Sequence, residues 1–233
     1  MTSDKKFLLI RNYNLFSHIT DEEYEELNLV HHFIEAEKDQ YIYFDSQYLN
    51  KLYFLKGGTI KIGYVNEEGK EVIKEIIQEG EVFGQFSLEQ NNLNGEFAKA
   101  HKADVSLCAF NINDFEKLLR KKPELAFHYS KQVGQKLRKL ENRLMNLLNK
   151  DVKTRLVGFL IMLAKEEGET KDNDTYRILN FLTHDDIAQL IGSSRQTVTT
   201  LINELEHQQL INVTRKLIEI PSVKRLQKSL EVI

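Results

Sequence analysis

The run Leu182-Thr-His-Asp-Asp-Ile-Ala-Gln-Leu-Ile-Gly-Ser-Ser-Arg-Gln-Thr-Val-Thr-Thr-Leu-Ile-Asn-Glu-Leu-Glu206 concentrates side chains suited to recognising another molecule. Arg195, Gln196, Thr199 and Thr200 lie off an apolar stripe formed by Val198, Leu201, Ile202 and Leu205. Arginine presents a fork that matches O6 and N7 of guanine, and glutamine can pair with N6 and N7 of adenine. Ser193, Ser194 and Thr197, with the first amides of a helix starting there, would face phosphates, because the helix dipole favours an anion at that end. No acid occurs from Gly192 to Ile202, so this patch escapes the chain's formal net charge of −3. The chemistry on offer is recognition of duplex DNA. For catalysis the sequence offers little: no glycine-rich phosphate loop, HxH metal cluster or Ser/His/Asp arrangement stands out from chance spacing.

Two helices must hold that patch. Thr183 with Asp186 three residues later has the form of a capping box. Ile187, Ala188, Leu190 and Ile191 supply a buried side, and Gly192 a tight turn. Ser194 can cap the next helix, which completes a helix-turn-helix. Downstream, Leu210-Ile-Asn-Val and Leu217-Ile-Glu-Ile flank Thr214-Arg-Lys, a two-stranded wing with Arg215 and Lys216 at its tip. Two helices merely packed at a glycine turn would explain neither the polar outer face nor the basic wing. Thr183, Ser193, Ser194, Arg195, Gln196, Thr197, Thr199, Thr200, Arg215 and Lys216 are therefore the expected DNA-facing set.

A long helical period precedes this region. Asn113 can cap its start, and Pro123 kinks or restarts it. Val133, Leu137, Leu140, Leu144 and Leu147 repeat in a 4-3-4-3 spacing, and backward heptads add Ala126 and Ser130. This is the a/d seam of paired helices. A stripe this narrow on a polar helix suits a partner helix better than a broad domain core. A second copy of the chain is the simplest partner. Lys150-Asp-Val-Lys-Thr marks a break, Arg155–Lys165 reads as a helix, and the charged segment 166–173 reads as a solvated loop.

The N-terminal part changes period. After a short helix expected over Thr20–Leu29, β-type runs alternate with glycine turns: Leu52–Lys56 before Gly57, alternating Ile60, Ile62 and Tyr64, then Val72–Ile77 between Gly69 and Gly80. Short strands punctuated in this way predict an antiparallel jelly roll or cupin-like barrel. The fold class is α+β in three parts: a sensor barrel over 1–112, a dimerisation helix over 113–150 and a winged helix-turn-helix over 151–233. Cys108 is the only cysteine, so an intrachain disulfide or a four-cysteine Fe–S site is excluded. A chain without oxidative staples fits a reducing cytoplasm. Its longest apolar run, Leu156–Ala164, is far shorter than the ~20 residues of a membrane span.

Taken in this order, the three parts resemble the Crp/Fnr family of transcription regulators along nearly the whole chain. The likeness is strongest in Ile187-Ala-Gln-Leu-Ile-Gly-Ser-Ser-Arg-Gln-Thr-Val and Leu205-Glu-His-Gln-Gln-Leu-Ile. It implies that Arg195 reads a guanine while Ser194 and Thr197 hold phosphates, on a pseudo-palindromic duplex beside RNA polymerase. Gln196 stands where the family commonly has a Glu, and Thr200 where an Arg is common. The family's cyclic-nucleotide pocket uses a Gly-Glu pair and a later Arg. Here Gly84-Gln85 lies within Phe83, Gly84, Gln85, Phe86 and Ser87, and no Arg occurs near Asn94–Glu96. That argues against cyclic AMP and leaves the effector unknown. Haem needs only one ligating His, with His101 or the pair His31-His32 available, although a His is more often a satisfied polar residue. No metal ligands are assigned. Two other readings are a cupin-like small-molecule enzyme with an accessory helical domain, and a DNA-binding regulator that needs no effector.

Overall fold

The computed structural model describes residues 20, 31–44, 50–86, 95–172 and 174–230. The helix expected over Thr20–Leu29 falls outside these residues, apart from Thr20. The chain forms two compact units, Met1–Arg138 and Lys139–Ile233.

Among the described residues of the first unit the alternating sequence becomes eight strands: β1 (His31–Ala36), β2 (Tyr41–Phe44), β3 (Lys51–Gly57), β4 (Ile60–Val65), β5 (Glu71–Ile77), β6 (Val82–Gly84), β7 (Glu96–Ala100) and β8 (Val105–Asn111). They pair antiparallel in two four-stranded sheets, ordered β1-β8-β3-β6 and β2-β7-β4-β5. Side chains on a strand alternate between faces, so β3 and β8 split their apolar residues two ways. Tyr53, Leu55, Leu107 and Ala109 join one core with Ile60, Ile62, Ile77, Phe83 and Ala98 from the other strands. Leu52, Phe54, Cys108 and Phe110 join a second core, with Phe115, Leu118, Leu125 and Tyr129 of the following helices. A sheet buried on both faces accounts for the unbroken apolar run Leu52–Leu55. Cys108 is buried, and burial pushes its thiol pKa up, which keeps the reactive thiolate scarce.

The long helical period resolves into α1 (Ile112–Lys121) and α2 (Pro123–Asn149). Asn111, not Asn113, caps α1: its side-chain oxygen accepts from the Asn113 amide at 2.9 Å. Strand β8 runs straight into this helix, so the cap falls on the last strand residue. Pro123 opens α2, where its missing N–H costs nothing.

In the second unit α3 (Val152–Glu167) starts on Asp151, whose side chain accepts from the Thr154 amide at 2.7 Å. That hydrogen bond holds the Asp151 carboxyl below its ordinary pKa. Strands β9 (Glu169–Asp172) and β10 (Thr175–Leu179) follow, then α4 (His184–Ile191), α5 (Arg195–His207), β11 (Asn212–Val213), β12 (Leu217–Ile220) and α6 (Val223–Lys228). The segment expected as a charged loop thus contributes β9. The two-stranded wing expected from the sequence is part of a four-stranded sheet, β11-β12-β10-β9. β9 occupies its edge, where charge is the usual protection against stray pairing, and its composition therefore reads as loop. Among the described residues no helix is long and apolar enough to cross a membrane.

Candidate nucleic-acid interface

Thr183 and Asp186 form the capping box in full. The Asp186 amide donates to Thr183 Oγ1 at 3.1 Å, and the Thr183 amide donates to Asp186 Oδ2 at 2.8 Å. Asp186 is buried, so this box fixes the start of α4 from inside. Ile187, Ala188 and Ile191 are its buried face. Gly192 ends the helix in the left-handed region at φ 68°, and an added Cβ there would meet Leu147 Cδ2 at 2.6 Å. Leu147 can yield, but the backbone cannot. Gly192→Ala is expected to cost about 1–2 kcal/mol, read as a lower Tm of the C-terminal unit. An unchanged Tm would mean the turn relaxes.

Ser194 caps α5 by accepting from the Thr197 amide at 3.1 Å, and its hydroxyl lies 2.8 Å from Thr197 Oγ1. Val198, Ile202 and Leu205 bury one side of α5, packing it on its own unit. Arg195, Gln196, Thr197 and Thr200 stand exposed on the other. The first-turn amides of Arg195 and Gln196 have no intrahelical acceptor, a geometry that receives an anion. Ser193 is half-buried.

Thr199 is half-buried and makes contacts within the chain. Its hydroxyl donates to the Arg195 carbonyl at 2.9 Å and lies 2.9 Å from His184 Nδ1. The pair braces α4 against α5. Sequence reasoning missed His184 because a residue behind a cap reads as solvent-facing. Asn203 is exposed seven residues beyond Gln196 on the same helix face.

Arg215 and Lys216 are exposed at the wing tip. Asn180 holds that tip: its side-chain amide donates to the Thr214 carbonyl at 2.8 Å, and its backbone amide to the Lys216 carbonyl at 2.9 Å. Thr214 Oγ1 accepts from the Leu217 amide at 3.0 Å, closing the turn.

The residues expected at the helix seam divide. Ala126 and Val133 pack against the core under α2, so their own unit uses part of them. The Ser130 hydroxyl donates to the Phe127 carbonyl. Leu147 lies against Gly192. Leu137, Leu140 and Leu144 remain 57%, 48% and 56% exposed, with Met145 and Leu148 beside them.

In the barrel, the residues expected around an effector point different ways. Phe83 is fully buried and stacks on Tyr53 at 4.9 Å, and Tyr53 stacks on Tyr43 at 5.8 Å. Burial pushes the Tyr53 hydroxyl pKa up to about 12. Gly84 has φ 98°, and a Cβ on it would strike the Lys51 carbonyl at 2.6 Å, so this glycine serves close strand packing. Gln85 is buried. Phe86 turns towards α2, stacking on Tyr129, which donates to the Phe86 carbonyl at 2.6 Å. Ser87 lies outside the described residues. Glu96 accepts from the Tyr43 hydroxyl at 2.9 Å and pairs with Lys74 at 2.7 Å. His101 is buried and the His31 side chain is outside the described residues. Among the described residues no group of three or more His, Cys, Asp or Glu is placed to hold a metal ion.

Two family models match this chain. The cyclic nucleotide-binding domain family matches residues 33–122 and the Crp-like helix-turn-helix domain family matches residues 154–229. The chain is 31% identical over 185 residues to the global nitrogen regulator of Nostoc sp., covering 79% of this chain and 82% of that protein. It is 30% identical over 170 residues to the cAMP-activated global transcriptional regulator CRP of Pasteurella multocida, covering 72% of this chain and 80% of that one. A mutant of CooA from Carboxydothermus hydrogenoformans has the same fold, with a TM-score of 0.76 and 22% identity over 93% of this chain and 95% of that one. The two curated relatives are named as regulators, and the matching family model is a helix-turn-helix domain, which removes the cupin-like enzyme reading. With its helix-turn-helix exposed at the start of α5 and an antiparallel barrel before the long helix, the chain belongs to the Crp/Fnr family of DNA-binding transcription regulators.

Proposed function

We propose that this regulator acts in the cytoplasm as a homodimer on pseudo-palindromic DNA, entering successive major grooves with the α5 helix of each copy. The carrying observation is the outward face at the start of α5. The side chains of Arg195 and Gln196 are exposed there. Arg195 would take guanine O6 and N7, and Gln196 adenine N6 and N7. Ser194, Thr197 and the first amides of α5 would hold a phosphate, Thr183 and Ser193 would flank it, and Arg215 and Lys216 would add contacts from the wing. Thr200 contributes a hydroxyl where a charged fork would otherwise stand, which shifts the preferred half-site away from guanine at that step. The exposed leucines of α2 supply the pairing surface. A protein so bound beside a promoter would meet RNA polymerase.

The barrel argues for an effector other than cyclic AMP. Glu96 places a carboxylate near the position where a cyclic phosphate would need a cation, and Lys74 and Tyr43 are already committed to it. The stacked rings of Tyr43, Tyr53 and Phe83 favour a second reading, in which the interior is filled by the chain's own side chains and no effector is needed. Selection of bound duplexes from a random pool tests the function. A two-fold motif with a guanine at one fixed step of each half is expected, and an unsymmetrical or absent motif would overturn the proposal. Repeating the binding across salt concentrations with and without a panel of candidate nucleotides separates the two readings of the barrel: a ligand-dependent change in affinity supports an effector, and binding that none of them alters supports the filled interior.

A further inference from the structure

Arg155, near the start of α3, spends its side chain on main-chain carbonyls. Its Nε donates to Ile191 O at 2.8 Å, Nη1 to Lys150 O at 2.7 Å and Nη2 to Gly192 O at 3.0 Å. Ile191 closes α4, Gly192 is the turn into α5, and Lys150 follows the last residue of α2. One guanidinium thus bridges the C-terminal ends of two helices, where the aligned peptide dipoles concentrate negative charge. Two further contacts run beside it. Arg143 Nη2 donates to the Gln189 carbonyl at 3.4 Å, and Leu147 lies against Gly192. The last turns of α2 are therefore fastened to the turn that launches α5.

We propose that Arg155 is a positioning residue for DNA recognition, fixing α5 relative to the end of α2 and so setting the half-site separation that a dimer accepts. A planar fork suits this work because its donors hold fixed directions, whereas a lysine ammonium is a single rotatable point charge. Main-chain acceptors cannot turn away as side chains do, so the angle between the two helices is held from both ends. Arg155 is half-buried, and all three hydrogen bonds of its fork go to backbone. The inference rests on the proposed paired binding, and it adds the element that decides which spacings fit.

The test measures binding of the full chain and its Arg155→Ala and Arg155→Lys variants to a graded series of duplexes. The series carries two half-sites at the selected spacing, the same with one or two base pairs inserted or removed, and a single half-site. For the natural chain, displaced spacings bind more weakly. In both variants that preference shrinks by about tenfold, the factor one charge-assisted hydrogen bond commands, while single half-site binding stays within about twofold. Arg155→Lys keeps the charge and loses the fork, so a flattened profile in it assigns the effect to geometry; it also carries the test if Arg155→Ala fails to fold. A variant that binds the single half-site normally and keeps the natural spacing profile overturns the inference and leaves dimeric DNA binding intact. A natural chain that binds one half-site as tightly as two overturns paired binding, and the inference with it.

Discussion

Replacing Leu140 and Leu144 together with lysine is expected to leave a folded monomer whose affinity for the full two-fold site falls by about 10²–10⁴-fold. That range is the gain a second tethered module supplies once the first has bound. Both leucines are roughly half exposed in the single chain, so the change removes little of the chain's own core. In a dimer the same positions face their counterparts across the seam, and two pairs of ammonium groups would have to be desolvated at close range. The loss should therefore appear as dissociation of the dimer and not as unfolding. Sedimentation velocity reads the oligomeric state, circular dichroism the fold, and anisotropy the DNA affinity. A double variant that stays dimeric would place the pairing surface elsewhere.

Arg195→Ala carries the second large effect, about 1–3 kcal/mol at each half-site, with loss of preference at a single base pair. The Arg195 side chain is exposed, so its removal opens no cavity in the core. Arg215→Ala at the wing gives the contrast. It should weaken all sequences about equally and lower the salt slope by about one unit, because phosphate contacts position without reading sequence. Equal losses on specific and random duplexes for Arg195→Ala would move that side chain from base edge to backbone. The assignment is then wrong.

Much of this arrangement is legible in the sequence because its determinants are local. The capping box of Thr183 and Asp186, the left-handed glycine at Gly192 and the Ser194 cap each depend on residues within three or four positions, and each occurs in the structure as the spacing implies. The strands of the barrel announce themselves by alternation between glycine turns, whereas the double burial of β3 appears only in the structure. What the sequence conceals is long-range. The His184–Thr199 brace links residues 15 apart, the Asn180 clamp reaches 34 residues ahead, and the Arg155 fork reaches 36 and 37. Polar side chains of this kind look like solvated surface until the partner carbonyl is known. The seam is legible only as a stripe. Ala126 and Val133 share the heptad with Leu140, yet both pack in part on their own core, because a stripe's period does not say which neighbour covers it.

Hydroxyl-radical footprinting of the selected duplex with the full chain tests the central claim most directly. Two copies presenting α5 to successive major grooves should protect two symmetric patches whose centres lie about one helical turn apart on one face of the DNA. Arg195→Ala should weaken both patches together. A single protected patch, or protection that survives on sequences lacking the motif, would contradict the account.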